Sequence, residues 1–430
     1  MPVIAQATEN CAIYTEMRID LKDPEIGSYH LWDTVYGDPK TAEVFKTGLP
    51  LALPSVQLMA VGEQIVSPAG EKMLVLAQIG RNGRVIKDRV HTVAGLTGVV
   101  KILPLGEDVL VFANRMVLET GRQVIWRGRF TLQGEKVSES DLEDNTGDLL
   151  LSDVVETKKT GEYLLSATIR KTSLQQPVSA VLYRTDSTGR VLADHAFVTG
   201  TENRLSGLKV LEDSGVLATG YAYGEDGRKN GWIVRLDNSF NIVWQNIYPR
   251  GMGAEFVTGA GMANNTLVVA GQAVPAGKKT LSGWVMVVQA DNGAVGWQRF
   301  FSSPRLLRAQ EITVSPEGLV SVLLDGEVPP ASVTDAEQKP ATSQAALLTL
   351  TPQGNLFSQD THANAKGARV YDVVTGMNGD RFILGTTTIM RQSAPESGDA
   401  SEPDTQGWII AVPRMETYDD PCLRAPDLVP

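Results

Sequence analysis

Seven carboxylates in the middle of the chain are the strongest candidates for acid–base chemistry. They fall on segments that predict inner β-strands or their loops, and they are Asp153, Glu156, Glu212, Asp213, Glu255, Glu311 and Asp372. Paired carboxylates can hydrolyse glycosidic bonds, one as an acid and the other as a base or nucleophile. A scatter this wide is also expected by chance in an acidic chain. The carboxylates therefore support glycan processing only as an alternative.

Four histidines are the other titratable candidates: His30, His91, His195 and His362. The repeat described below places each one on the outermost strand of a different sheet, so we expect exposed or edge positions and no shared metal ion. The sequence contains no HExxH, GxSxG, GxGxxG or P-loop motif. We therefore predict no catalytic residue, no metal site and no cofactor.

The two cysteines, Cys11 and Cys422, lie near opposite ends of the chain. They are either unrelated thiols or a disulfide that joins the termini, which requires an oxidising compartment. The first residues, MPVIAQATENC, contain the A-x-A pattern that ends a secretory signal, without the charged and apolar regions that precede such a pattern. We therefore expect the protein to be exported to the periplasm, the cell surface or the medium. A cytoplasmic location is the less favoured alternative.

The charge balance excludes one class of partner. The 430 residues include 50 acidic and 39 basic side chains, which gives a net charge of −11. A field of this sign repels phosphate backbones, and no basic stripe offsets it, so we exclude nucleic acid. No run of apolar residues is long enough to predict a membrane-spanning helix.

A repeated pair of strands runs through the chain. Each copy is an alternating apolar run, a turn rich in Gly, Asp, Asn or Ser, and a second alternating run, which is typical of a β-hairpin. The turns centre on Gly83, Gly134, Gly189, Phe240, Gly293 and Gly354. A period of about 50 to 60 residues, with room for two more strands between hairpins, predicts one four-stranded propeller blade per repeat.

The ends of the chain predict how the ring closes. The seventh blade has three strands before the tail begins, and residues 28–37 (SYHLWDTVYG) offer the missing outer strand. In this segment Trp32 and Tyr36 have the same spacing as Trp244 and Tyr248 on another predicted outer strand. Closure of this kind removes exposed sheet edges. We predict an all-β fold, a seven-bladed β-propeller with four-stranded blades, closed by this N-terminal outer strand in the last blade.

This closure divides the chain into three regions. Residues 1–27 form an N-terminal extension, residues 28–414 form the propeller, with 28–37 completing the last blade, and residues 415–430 form a C-terminal tail. A bridge between Cys11 and Cys422 would pin the seam where the ring closes.

The repeat has a recognisable residue pattern, in which a Trp-bearing strand and Leu-Asp precede a turn, and a second Trp lies four residues before an aromatic. The residues that carry it are Trp232, Leu236, Asp237, Trp244, Tyr248, Trp284, Asp291, Gly293, Trp297 and Phe301. The pattern resembles the secreted bacterial β-propeller repeat and the quinoprotein-type (PQQ-like) repeat, which non-catalytic outer-membrane assembly lipoproteins also use. Such residues are structural in these families, and we expect the same of Trp32, Tyr36, Trp126 and Trp408. The chain lacks the vicinal cysteine pair of catalytic quinoproteins, so the resemblance implies a non-catalytic member.

These observations together predict an exported bacterial propeller that is not an enzyme. Its expected function is binding, in which rigid blades present loops to a protein partner, to a larger envelope assembly or to a glycan. The alternative is a propeller enzyme, either a glycosidase or sialidase-like hydrolase or a quinone-dependent dehydrogenase.

Overall fold

Seven β-sheets surround a central channel in the computed structural model of the chain. Four antiparallel strands build each sheet, and the sheets follow one another around the ring, so the predicted seven-bladed β-propeller is confirmed. The structure describes residues 5–6, 14–18, 30–38, 41–66, 70–171, 178–197, 202–251, 253–275, 280–303, 306–327, 344–362, 368–390 and 403–414.

We number the blades in chain order and the strands of each blade from the channel outward. Blades 1 to 3 contain β4 (Ala42–Pro50), β5 (Val56–Ile65), β6 (Lys72–Gly80), β7 (Val85–His91), β8 (Leu96–Leu105), β9 (Asp108–Val117), β10 (Arg122–Thr131), β11 (Lys136–Leu142), β12 (Gly147–Glu156), β13 (Glu162–Lys171), β14 (Ser179–Asp186) and β15 (Val191–Ala196). Blades 4 and 5 contain β16 (Asn203–Val210), β17 (Val216–Tyr223), β18 (Lys229–Leu236), β19 (Ile242–Tyr248), β20 (Ala254–Met262), β21 (Thr266–Ala273), β22 (Ser282–Gln289) and β23 (Val295–Ser302). Blades 6 and 7 contain β24 (Leu306–Val314), β25 (Val320–Glu327), β26 (Gln344–Leu350), β27 (Leu356–His362), β28 (Ala368–Thr375), β29 (Arg381–Met390) and β30 (Pro403–Val412).

Three N-terminal strands lie on the outer edges of later blades. They are β1 (Ala5–Gln6), β2 (Tyr14–Arg18) and β3 (Trp32–Tyr36). Strand β3 pairs antiparallel with β30 and completes blade 7, as the sequence predicts. Strands β1 and β2 pair in parallel with β19 and β23, the fourth strands of blades 4 and 5. These two pairings add a fifth strand to each of those blades and were not expected from the sequence.

The turn of each outer hairpin contains a residue with left-handed backbone geometry. Glycine adopts this geometry without the clash that a Cβ causes, and an aspartate early in the turn accepts backbone hydrogen bonds. In blade 4, Asp237 accepts from the backbone N–H groups of Ser239 and Asn241 at 2.8 and 2.9 Å. In blade 5, Asp291 accepts from the Asn265 side chain at 2.7 Å. The φ angles at the turn centres are 77° at Gly83, 79° at Gly134, 90° at Gly189, 68° at Phe240, 71° at Gly293 and 80° at Gly354.

In blades 4, 5 and 7 an outer-strand tryptophan joins the blade to the turn of the next one. The Trp244 indole N–H donates to the Ala290 carbonyl at 2.7 Å, and its ring covers Gly293, where an added Cβ would lie 2.8 Å from it. Trp32 covers Gly83 in the same way, with a distance of 2.6 Å. Only a glycine leaves room for the indole, which explains why Trp and Gly recur together at the blade period.

Most of the other residues with a predicted structural role lie in the core between blades. Each buried side chain of this size contributes roughly 2 kcal/mol of stability from its apolar area. The exposed fractions are 1% for Trp126, 0% for Trp232, 0% for Trp284, 3% for Trp408 and 1% for Tyr248. Trp297 is half-buried on β23, and its indole N–H donates to the Pro352 carbonyl at 2.9 Å.

Two further expectations concern the membrane and the disulfide. Within the described ranges, the structure holds no helix long and apolar enough to cross a bilayer. Cys11 and Cys422 both lie outside the described residues, so their pairing stays a prediction.

Candidate binding site at the mouth of the channel

The inner strand of every blade carries a β-bulge at the same level of the channel. Each blade has four strands of alternating direction, so all inner strands run the same way and begin on one face, which we call the front face. Residues equally distant from the bulge therefore form a layer around the channel. The residues that the bulges leave unpaired are Lys46, Val100, Ser152, Ser206, Val257, Gln310 and Tyr371.

The layer two residues before the bulge surrounds the front opening of the channel, and we call it the upper layer. Three of its seven positions are arginines, from blades 4, 6 and 7. The layer consists of Val44, Gly98, Leu150, Arg204, Glu255, Arg308 and Arg369. Glu255 was among the predicted candidates, whereas the arginines were not.

Two of these arginines share one carboxylate on the blade 6 and 7 side of the mouth. Glu327 lies 2.5 Å from an Arg308 nitrogen and 3.4 Å from an Arg369 nitrogen. On the same strand Asp325 is only 5% exposed. Burial raises the pKa of Asp325 to about 6, although both arginines act in the opposite direction. On this side of the mouth, the positive charges of the two arginines are therefore balanced by neighbouring carboxyl groups of the protein.

The blade 2 to 4 side of the mouth contains a cavity of about 480 Å³. Its wall includes Gly98, Leu150 and Arg204 of the upper layer, together with Arg170 and Tyr221. Arg204 is half-buried, and no hydrogen-bond or ion-pair partner for it exists among the described residues. The exposed Arg170 likewise has no partner in the described part of the chain. Arg308 and Arg369 share the Glu327 carboxylate, whereas the guanidinium groups of Arg204 and Arg170 can still donate hydrogen bonds to a ligand.

Other polar groups line the same cavity. The Tyr221 hydroxyl donates to a Glu202 oxygen at 2.8 Å. Asp148 lies opposite Arg170 in the strand pairing, but its carboxylate accepts from the Gln123 backbone N–H at 3.1 Å. The Thr168 hydroxyl is buried without a partner in the described structure. A cavity of this size, with unused donors beside an aromatic ring, suits a polar ligand that carries a negative charge.

A second layer, one residue after the bulge, lies deeper in the channel, and we call it the lower layer. Lys101 is its single cation, and the carboxylates of Asp372, Asp153 and Glu311 attract it from blades 7, 3 and 6. The carboxylates, with Asp372 first, raise the pKa of Lys101 despite burial. The full layer is Thr47, Lys101, Asp153, Gly207, Thr258, Glu311 and Asp372. It brings together three of the seven candidate carboxylates.

Hydrogen bonds in the lower layer link neighbouring blades. The Thr47 hydroxyl donates to Asp372 at 2.9 Å, across the junction of blades 1 and 7. The Thr258 hydroxyl donates to Glu311 at 2.7 Å. Burial raises the pKa of Glu311, although Lys101 acts against the shift. These contacts give the lower layer a structural role in holding the ring together.

The other candidate acids lie elsewhere. Glu156, Glu212 and Asp213 sit at the turns between first and second strands, on the back face. Glu156 accepts from the Gly161 backbone N–H at 2.9 Å, and Asp213 forms an ion pair with Arg235. None of the three contributes to the mouth.

The histidines share no metal site in the described part of the chain, although His30 is near enough to His362 to affect its pKa. The described residues contain no group of three or more His, Cys, Asp or Glu side chains that could hold a metal ion. His91, His195 and His362 are on the fourth strands of blades 1, 3 and 6, and His30 precedes β3. His362 lies on an edge strand, within the expectation of exposed or edge positions, but its side chain is only 2% exposed. Burial lowers the pKa of His362 to about 4, and the positive charges of His30 and Arg381 act in the same direction.

Comparisons with known proteins support the fold alone. No protein family matches the chain, and no curated protein matches it. Among solved structures, the chain is similar to a puromycin hydrolase at 13% identity and a TM-score of 0.46, over 83% of this chain and 52% of that one. It therefore spans about half of the puromycin hydrolase chain. It is also similar to the β-propeller domain of the Trilobed protease from Pyrococcus furiosus, at 10% identity and a TM-score of 0.45, over 90% and 98% of the two chains.

A third similar structure is the quinohemoprotein alcohol dehydrogenase ADHIIG from Pseudomonas putida HK5, at 9% identity and a TM-score of 0.40, over 88% and 78% of the two chains. These neighbours contradict the prediction that the chain is not an enzyme, since they include a hydrolase and a dehydrogenase built on the same architecture. At such low identity they assign no activity to this chain.

Proposed function

We propose that this propeller binds an acidic glycan at the front mouth of its channel. The observation that carries the proposal is Arg204, a half-buried arginine without a partner among the described residues, in the wall of the 480 Å³ cavity. Its Nε–H is buried without an acceptor in the described structure, and no described residue accepts a hydrogen bond from its terminal N–H groups. A ligand carboxylate can supply two acceptors in one plane, which is the geometry that arginine favours.

The rest of the wall supports a sugar as the carrier of that carboxylate. Tyr221 offers an aromatic ring, and Thr168 offers a hydroxyl without a partner in the described structure. Sugar hydroxyls both donate and accept hydrogen bonds, so they match a wall of mixed amide, hydroxyl and carboxyl groups. The exposed Arg170 adds a second guanidinium group to this wall, which also holds the carboxylates of Asp148 and Glu202.

The test uses trigalacturonic acid as probe and its methyl ester as the uncharged reference. We expect the acid to bind and Arg204→Met to weaken binding roughly 10- to 100-fold, since the variant removes charge-assisted hydrogen bonds. Arg170→Met should weaken binding less, because this side chain is exposed. Titration calorimetry on the full chain measures the affinity of the unaltered protein and of both variants for the acid, and of the unaltered protein for the ester.

The matched control is Arg190→Met, an exposed arginine of the blade 3 hairpin turn whose side chain pairs with Asp186 at 3.0 Å. This control should bind like the unaltered protein. Equal affinity for acid and ester, or unchanged binding in Arg204→Met, would rule out the proposal. Chromatography of the same mixtures reports whether the oligosaccharide is cleaved.

We further propose that the protein is exported, presents its front face to an envelope or protein partner, and descends from quinoprotein-type repeats. The A-x-A pattern and the placement of Trp232 and Trp284 in the blade cores support this. The proposal includes a disulfide between Cys11 and Cys422. Mass spectrometry of exported material without reducing agent should give a linked pair of cysteine peptides, and free thiols at both positions would contradict it.

A further inference from the structure

A second cavity, of about 460 Å³, opens on the back face. It lies between the turns that join the first and second strands of blades 6 and 7. Its wall includes Ser315, Pro316, Glu317, Met377, Arg381 and Arg414. It is on the opposite face from the mouth, so a ligand held here has no contact with Arg204.

Arg381, at the start of β29, is the polar group on which this cavity is built. It is 7% exposed. One terminal nitrogen donates to the Ser321 hydroxyl at 3.2 Å, and the other is 3.4 Å from the Pro413 carbonyl. Its Nε–H is buried and has no acceptor in the described part of the chain. No carboxylate of the described ranges forms an ion pair with it, although Asp360 attracts it from a longer distance.

A buried guanidinium without an ion-pair partner is costly, since burial weakens the charged form. The positive charge of Arg381 therefore lies in the cavity wall, and the described groups that accept its hydrogen bonds are neutral. A bound carboxylate would provide the missing negative charge and stronger hydrogen bonds.

The other charged groups of the wall set the charge of the ligand. Arg414 and Glu317 are both exposed and attract one another without forming an ion pair. Together with Arg381 they leave the lining with one net positive charge, which suits a carboxylate better than a doubly charged phosphate. Pro316 and Met377 form an apolar part of the wall, and Met377 is 77% exposed. An apolar group beside the carboxylate would cover this exposed surface.

We propose that the back-face cavity binds a small carboxylic acid with an apolar substituent, with Arg381 facing the carboxylate and Met377 the apolar group. The site is independent of the proposed glycan site and uses different arginines. Failure of one proposal leaves the other intact.

The experiment titrates the full chain with N-acetyl-leucine and, separately, with N-acetyl-leucinamide, which has the same shape without the charge. We expect the acid to bind at least about tenfold more tightly than the amide. Arg381→Met should abolish the preference for the acid. Arg414→Met, at an exposed position that folding tolerates, should weaken acid binding several-fold. Arg190→Met, at the exposed blade 3 hairpin turn, is the control and should leave acid binding unchanged. Arg204→Met tests whether the acid binds at the front mouth instead.

Absence of acid binding, equal affinity for acid and amide, or a preference retained in both back-face variants would overturn the assignment. If Arg381→Met does not fold, the Arg414→Met result decides alone. If Arg204→Met loses acid binding while Arg414→Met binds the acid as tightly as the unaltered protein, the acid binds at the front mouth. This result would also overturn the assignment.

Discussion

Replacing Lys101 with methionine is expected to lower the free energy of unfolding by roughly 3 kcal/mol. The change leaves Asp153, Glu311 and Asp372 facing the channel without their shared cation. Removing one partner of a buried ion pair costs about 3 to 5 kcal/mol, and we take the lower end because water in the channel partly reaches this lysine. Urea unfolding of the variant and the unaltered protein measures the difference.

The same variant should respond to pH in a defined direction. Without Lys101, the folded-state pKa values of Asp153 and Glu311 rise further above the unfolded values of about 3.9 and 4.3. The folded variant then binds more protons than its unfolded chain, so its stability increases as pH falls toward those values. We expect the stability gap between the two proteins to narrow as pH falls from neutral toward the pKa values of the unfolded carboxyl groups.

Two matched variants separate charge from size. Lys101→Arg keeps the cation and should retain most of the stability. Adding Glu311→Gln to Lys101→Met should recover part of the loss, since it removes one of the unbalanced carboxylates. A Lys101→Met variant as stable as the unaltered protein at pH 7 would show that the lower layer does not hold the blades together.

The outer hairpins were predictable because their residues serve one repeated contact. Trp244 must cover the turn glycine of the next blade, and Trp32 must do the same at the seam, so both residue type and spacing recur. Strand β3 was predictable because it repeats this spacing and because the seventh blade otherwise has only three strands. The two-residue strand β1 and the parallel strand β2 make no contact that recurs from blade to blade, so the sequence repeat does not reveal them.

The candidate site was predictable only in part. Sequence analysis named Asp153, Glu311 and Asp372, yet gave no reason to group them, since their convergence depends on bulges that have no sequence pattern. It missed Lys101 and Arg204 because isolated cations on inner strands look like ordinary surface residues. Aligning the inner strands on the blade period places Arg204 level with Arg308 and Arg369, and that alignment is the signal that could have found the mouth.

Deleting residues 1–37 is expected to open the ring and to cause aggregation. The deletion removes β3, which pairs with β30 over five residues and leaves that strand as an exposed edge. It also removes contacts to blade 1, where the Thr34 hydroxyl donates to the Gly83 carbonyl at 2.5 Å and the Tyr36 hydroxyl to Asp88 at 2.7 Å. Loss of two half-buried aromatic side chains alone costs roughly 2 to 3 kcal/mol.

Deleting only residues 1–27 is the matched control, because it removes β1 and β2 and keeps β3. The shorter deletion should stay monodisperse in size-exclusion chromatography and melt close to the unaltered protein, whereas the longer one should aggregate or melt well below it. A synthetic peptide of residues 28–38 added to the longer deletion should restore part of the melting temperature, since it can pair with β30 in trans. Equal melting temperatures for the two deletions would mean that blades 7 and 1 close the ring without β3, because the contacts of Trp32, Thr34 and Tyr36 would then contribute nothing to closure.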